Sequence, residues 1–203
     1  MAGSAGGRSL KVPSKGTRPT SERVREAIFS RLEHYDVIED TRVLDLFAGS
    51  GALGIEASSR GAKSVVLVEA HKAAAKICED NVSALSLRNV TVVCEKAENY
   101  SLRGVAALWD LVFLDPPYDL SEELLSSILV NLVNSVDDRA VIVVERSTRS
   151  PQPVIPASWR LITQKNYGET TVYYYEPDLP IAHSSGASPD TGSVEVSPTQ
   201  AQA

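Results

Sequence analysis

The chain has 203 residues, 43% hydrophobic and 23% charged, which is the balance of one globular domain and excludes a disordered or collagen-like chain. No apolar run approaches the ~20 residues that span a bilayer, which excludes a membrane helix, and the cationic opening lacks the apolar stretch expected of a secretory signal. A net charge of -6 excludes a generic polyanion binder, and Cys78 and Cys94, far apart and outside any CxxC spacing, supply neither a metal site nor a disulfide framework. A reducing cytosol is the expected compartment.

Charge is unevenly placed along the chain. Residues 1–18 are rich in Gly, Lys and Arg and read as a basic arm. Up to residue 25 the cations Arg8, Lys11, Lys15, Arg18, Arg23 and Arg25 face Glu22 alone, so the arm can grip phosphate although the body is acidic. A single domain is expected over 19–177. After Pro19, Thr20 can cap a helix in which Val24, Ala27, Ile28, Leu32 and Tyr35 recur at helical spacing.

Five β-rich runs follow: Arg42–Leu46, Ser64–Glu69, Val90–Cys94, Leu111–Asp115 and Ala140–Glu145. Helical stretches at Ala52–Arg60, His71–Leu85 and Ser121–Leu132 separate most of them. Near-continuous Val/Ile/Leu runs alternating with helices predict a parallel sheet buried on both faces. Trp159–Lys165 and Thr171–Tyr175, joined through Asn166-Tyr167-Gly168-Glu169, predict a closing antiparallel hairpin. The fold class is a doubly wound α/β domain. Residues 178–203, rich in Ser, Pro, Gly, Ala and Thr, lack the apolar side chains that would offset ordering and read as a disordered tail.

Gly49-Ser50-Gly51-Ala52-Leu53-Gly54 follows a strand and opens a helix, and Glu69 ends the next strand. Formally this is the dinucleotide-binding fingerprint, so a nicotinamide-dependent oxidoreductase is one candidate. Asp45 argues against it, because a carboxylate beside the loop would repel a pyrophosphate in a partly dry cleft. S-adenosylmethionine, which carries an ammonium and a sulfonium and no phosphate, suits the site better. Its expected contacts are Asp45, Phe47, Ala48, Gly49, Ser50 and Gly51 around the loop. Glu69 would take the ribose hydroxyls, with Ala70 and Ala97 beside the adenine.

Asp115-Pro116-Pro117-Tyr118 follows the apolar strand Leu111–Leu114, where ligands of open α/β sheets bind. Two prolines fix φ and remove two donors. A carboxylate, rigid carbonyls and a ring suit an exocyclic amino group on a flat base. That nitrogen is a poor nucleophile, because its lone pair is delocalised. Acceptance of both N–H groups by Asp115 and the Pro116 carbonyl would favour a tetrahedral nitrogen, while Tyr118 stacks the base. Asp115, Pro116, Pro117 and Tyr118 are therefore the catalytic candidates. The tetrapeptide does not separate guanine N2 from adenine N6 or cytosine N4, in DNA or RNA. A silent RNA-binding scaffold is a third class, which an intact Asp115 and Tyr118 disfavour.

Three blocks, Arg18–Glu26, Leu44–Gly54 and Asp115–Tyr118, together with Ala5-Gly6-Gly7-Arg8, resemble the RsmD-type family of small-subunit ribosomal RNA guanine-N2 methyltransferases. The likeness covers roughly residues 3–176. It implies a Rossmann-like class I S-adenosylmethionine-dependent methyltransferase with a seven-stranded, mostly parallel sheet whose last strand is antiparallel. It also implies methyl transfer to N2 of a guanine in 16S rRNA, within the small subunit or its assembly intermediate, by a cytoplasmic monomer. On that reading Arg8, Lys11, Arg18, Arg23 and Arg25 hold RNA phosphates while the target base is out of its stack. The family's opening Arg-Ile-Ile-type strand has no counterpart, since Met1-Ala2-Gly3 starts almost inside the glycine segment. That implies an upstream start or a shorter arm.

Overall fold

Helix α1 (Glu22–His34) precedes strand β1 (Arg42–Asp45) in the computed structural model, which describes residues 7, 8, 10–12 and 22–178. The chain continues through α2 (Ala52–Ser59), β2 (Ser64–Glu69), α3 (Lys72–Ala84), β3 (Val90–Cys94), α4 (Ala97–Tyr100) and β4 (Trp109–Leu114). It closes with α5 (Glu122–Asn131), a 3-10 turn (Val133–Ser135), β5 (Val136–Ser147), β6 (Trp159–Tyr167) and β7 (Thr170–Pro177). The Thr20 cap, Arg18 and the expected disordered tail beyond residue 178 lie outside the described residues.

All seven strands join one sheet in the order β3-β2-β1-β4-β5-β7-β6. β1 to β5 pair in parallel, and β7 runs antiparallel between β5 and β6. The hairpin read from the sequence is therefore present, and its second strand inserts beside β5. Two features differ from the sequence reading. β5 starts at Val136, because the polar residues Asp137 to Arg139 extend it beyond the apolar run, and the single-turn helix α4 is too short to leave a periodic signal.

Period-two alternation sends neighbouring residues of each strand to opposite faces. Val43, Phe113, Val143 and Tyr174 join one core with Ile28 and Phe29 of α1 and Leu53 and Ile55 of α2. Leu44, Val112, Val144 and Tyr175 join the other with Leu125, Ile128 and Leu129 of α5. Phe29, which the helical pattern did not single out, is fully buried with its ring 5.7 Å from that of Phe113. Among the described residues no helix is long and apolar enough to cross a membrane.

The chain winds outward from β1 through β2 to β3, then returns to lay β4 on the other side of β1. The crevice above the carboxyl ends of β1 and β4 is thus the topological switch point, the standard ligand position in open α/β sheets. Gly54 lets α2 lie close against the sheet there. A Cβ at that position would run into Leu67 Cδ2 and stand 2.9 Å from Val65 Cγ1, and both side chains are buried. Gly54→Ala gains about 1 kcal/mol of helix propensity but overpacks this contact. We expect urea denaturation to show a net loss of about 1–3 kcal/mol; a stabilised variant would contradict the close approach.

Candidate active site

β1 ends at Asp45, and its extension is laced to both neighbours: the Leu46 N–H donates to Phe113 O at 3.0 Å and the Ala48 N–H to Val68 O at 2.9 Å. The chain then reverses through Gly49 (φ 56°) and Gly51 (φ 83°), both left-handed, into α2. At Gly51 a side chain is excluded twice, since a Cβ would also lie 2.9 Å from Ile55 Cδ1. The formal fingerprint is therefore a true tight turn between strand and helix.

Two carboxylates brace that turn from within. Asp45 is buried, and its Oδ2 accepts from the Gly54 N–H at 3.1 Å, whereas Oδ1 has no hydrogen-bond partner among the described residues. Burial pushes its carboxyl up to about 7, against the pull of the Gly54 amide; Asp115 adds repulsion, the Phe47 amide opposes it, and Glu69 adds a little more. Glu69, also buried, accepts from the Gly49 N–H at 2.9 Å through Oε2 and from the His71 N–H at 2.8 Å through Oε1. Its second lone pairs remain the means by which it could take hydroxyl donors.

α3 supports the turn from below. Cys78 donates its thiol to Gly49 O at 3.1 Å, and burial, with Asp45 and Glu69 next, pushes that thiol up to about 12, so it stays a donor. One turn later Asn81 donates to Ser50 O at 2.9 Å. Neither support is marked by a motif. A Cys and an Asn three apart on a helix carry no signal until the fold places the loop above them.

Across the crevice, β4 leads into Asp115, half-buried, then buried Pro116 and exposed Pro117 and Tyr118. Pro117 O accepts from the Leu120 N–H at 3.0 Å, and Ser121 caps α5 by accepting from the Leu124 N–H at 3.2 Å. Glu122, the first residue of α5, forms an ion pair with Arg146 near the end of β5, and the Arg146 side chain is only 3% exposed. Sequence reading missed this clamp, whose partners lie 24 residues apart. It fastens the helix that follows the Asp-Pro-Pro-Tyr turn to the sheet.

The structure thus gathers Asp45, Phe47 to Gly51, Glu69, Ala70, Ala97 and Asp115 to Tyr118 at the carboxyl ends of adjacent strands. Ala70 is exposed and Ala97 is buried at the start of α4. The basic residues divide. Arg8, Lys11 and Arg23 are exposed. Arg25 instead packs with its side chain 14% exposed, 3.6 Å from the nearly buried Glu56 and 3.4 Å from Glu22, and so joins α1 to α2. Grooves of about 580 Å³ beside α3 and β3 and of about 590 Å³ at the amino ends of the strands lie away from the crevice. Chemistry marks the crevice. Three carboxylates around it, one with an unpartnered oxygen, favour a cationic ligand and oppose a pyrophosphate.

Known proteins resemble this chain over most of its length. The model of a family described as Conserved hypothetical protein 95 matches residues 1–176. Ribosomal RNA small subunit methyltransferase D of Escherichia coli is 38% identical over 176 residues, 84% of this chain and 85% of that protein. The Haemophilus influenzae protein of the same name is 36% identical, over 87% of this chain and 92% of its own. The solved structure of yhhF from E. coli superposes with a TM-score of 0.77 at 35% identity, covering 89% of this chain and 97% of that one.

Proposed function

The chain belongs to the Conserved hypothetical protein 95 family, the RsmD-type group, with the class I methyltransferase fold, and from that premise we propose that it transfers a methyl group from S-adenosylmethionine to N2 of a guanine in 16S rRNA. The observation that carries the reading is the crevice itself: Asp45, Glu69 and Asp115 surround it, and Asp45 Oδ1 is buried with no partner among the described residues. That oxygen fits a donor carrying an ammonium and a sulfonium, with the Gly49–Gly51 turn alongside and Glu69 toward the ribose. When bound, the donor supplies an electrophilic methyl group.

The rest of the chemistry belongs to the chain's own groups. Asp115 and the carbonyl of Pro116 accept the two amine hydrogens, which draws the nitrogen toward tetrahedral geometry. Pro116 is buried and its φ is fixed by the ring, so this acceptor needs little reorganisation. Tyr118, 64% exposed, offers a ring on which a base leaving its helix can stack. Asp115 takes the proton once methylation has made it acidic, and need not be a strong base before then. In this reading Arg8, Lys11 and Arg23, all exposed, hold phosphates, with Arg18 outside the described residues; Arg25, committed to Glu56, contributes mainly by docking α1.

The test combines the purified chain with S-adenosylmethionine and 16S rRNA transcribed in vitro, both free and assembled into subunits, followed by nucleoside mass spectrometry. N2-methylguanosine is expected. N6-methyladenosine or N4-methylcytidine would move the assignment to another amine, and calorimetric binding of NADH without binding of S-adenosylhomocysteine would replace it by an oxidoreductase.

A further inference from the structure

Asn81 is 3% exposed on α3, yet its side-chain hydrogen bonds all leave that helix. Its Nδ2 donates to Ser50 O at 2.9 Å and to Lys11 O at 3.0 Å, while its Oδ1 accepts from the Lys11 N–H at 2.9 Å. The amide thus pairs with both backbone groups of Lys11 as a neighbouring strand would, and with its second hydrogen holds the glycine turn. Leu10 packs against the core beside it, and Lys11 Nζ lies 4.0 Å from Asp80. One side chain is therefore shared between the basic arm and the turn.

We propose that Asn81 is a positioning residue that couples arm docking to the geometry of the glycine turn, so that RNA and methyl donor bind with positive cooperativity. The inference rests on the functional reading above and goes beyond it. With the arm undocked, the Asn81 amide loses two of its three partners and is free to rotate away from Ser50. RNA that holds the arm against α3 restores all three and fixes the turn in its donor-binding form. Linkage makes the effect reciprocal: a donor that orders the turn favours the docked arm by the same factor.

The experiment titrates S-adenosylhomocysteine into the full chain by calorimetry, with and without saturating in vitro 16S rRNA. For the wild type we expect RNA to tighten S-adenosylhomocysteine about tenfold, within the range usual for linked sites. Asn81→Ala should abolish the enhancement. Lys11→Pro, which removes the N–H that Asn81 Oδ1 accepts along with the charge and fixes φ, should lose it too, beyond any loss in Lys11→Ala, which gives up the charge and keeps the N–H; Asp80→Ala, which removes the ion pair to Lys11 and keeps that N–H, should retain it in full. The double variant should be no worse than either single one. Lys11 is exposed, so Lys11→Pro carries the test even if Asn81→Ala fails to fold. A merely structural Asn81 would lower the melting temperature and leave the enhancement intact, which overturns the proposal. Binding of S-adenosylhomocysteine that ignores RNA in the wild type overturns the coupling alone; no binding at all overturns the functional reading and the coupling with it.

Discussion

Asp115→Ala is expected to lower kcat on 16S rRNA by about 100–1,000-fold while changing affinity for S-adenosylhomocysteine by less than about threefold. The asymmetry follows from position. Asp45 and Glu69 sit against the glycine turn, but Asp115 stands at the end of β4, across the crevice, where the base amine arrives. An acceptor that strengthens as the nitrogen loses planarity acts on the transition state more than on either bound ground state. Asp115→Asn keeps an acceptor oxygen but loses the charge and adds a donor, so a smaller loss of about 10–100-fold is expected. Single-turnover rates and calorimetry on the same preparations separate the effects. A rate for Asp115→Ala within tenfold of wild type would remove Asp115 from the chemistry, whatever the family resemblance implies.

The legibility of this site in the sequence follows from how local its parts are. The glycine turn, the strand-end Asp45 and Glu69, and the Asp-Pro-Pro-Tyr turn each lie within a few residues of an apolar run that announces its own strand. Brought to one sheet, those ends must meet. What periodicity could not show are pairings made by side chains across elements. Arg25 reads as an exposed cation beside Arg23, but the fold sets it over Glu56 of α2, and Arg60 shares that carboxylate at 2.8 Å. Asn81 and Cys78 read as an unremarkable polar residue and a small thiol, and only the sheet order lays the glycine turn over them. Arg146, at the end of a strand that otherwise reads as buried, gains its meaning from Glu122. In each case the missing information is a tertiary contact between residues far apart in sequence, which alternation and spacing do not encode.

Asp45→Asn is expected to stabilise the ligand-free protein at pH 8 while weakening S-adenosylhomocysteine about 10–100-fold, so that stability and binding move in opposite directions. Burial raises the Asp45 carboxyl from 3.8 to about 7 in the folded chain. The raised value means that the folded state keeps this proton after the unfolded state has lost it. The protonated group's stabilising share is complete below about pH 4, declines as pH rises toward about 7, and is gone above that. Across that window the wild type loses up to about 4 kcal/mol that the uncharged variant does not lose. The Asn amide brings its own cost of about 1–3 kcal/mol, because it places a buried donor where Oδ1 had no partner. The variant should therefore be the less stable protein near pH 4 and the more stable one by about 1–3 kcal/mol at pH 8. Urea denaturation of both chains at the two pH values, without ligand, measures the crossing directly. Parallel pH dependence would show that Asp45 is ionised at no cost in the folded state, and the case for a crevice held in readiness for a cationic donor would lose its physical basis.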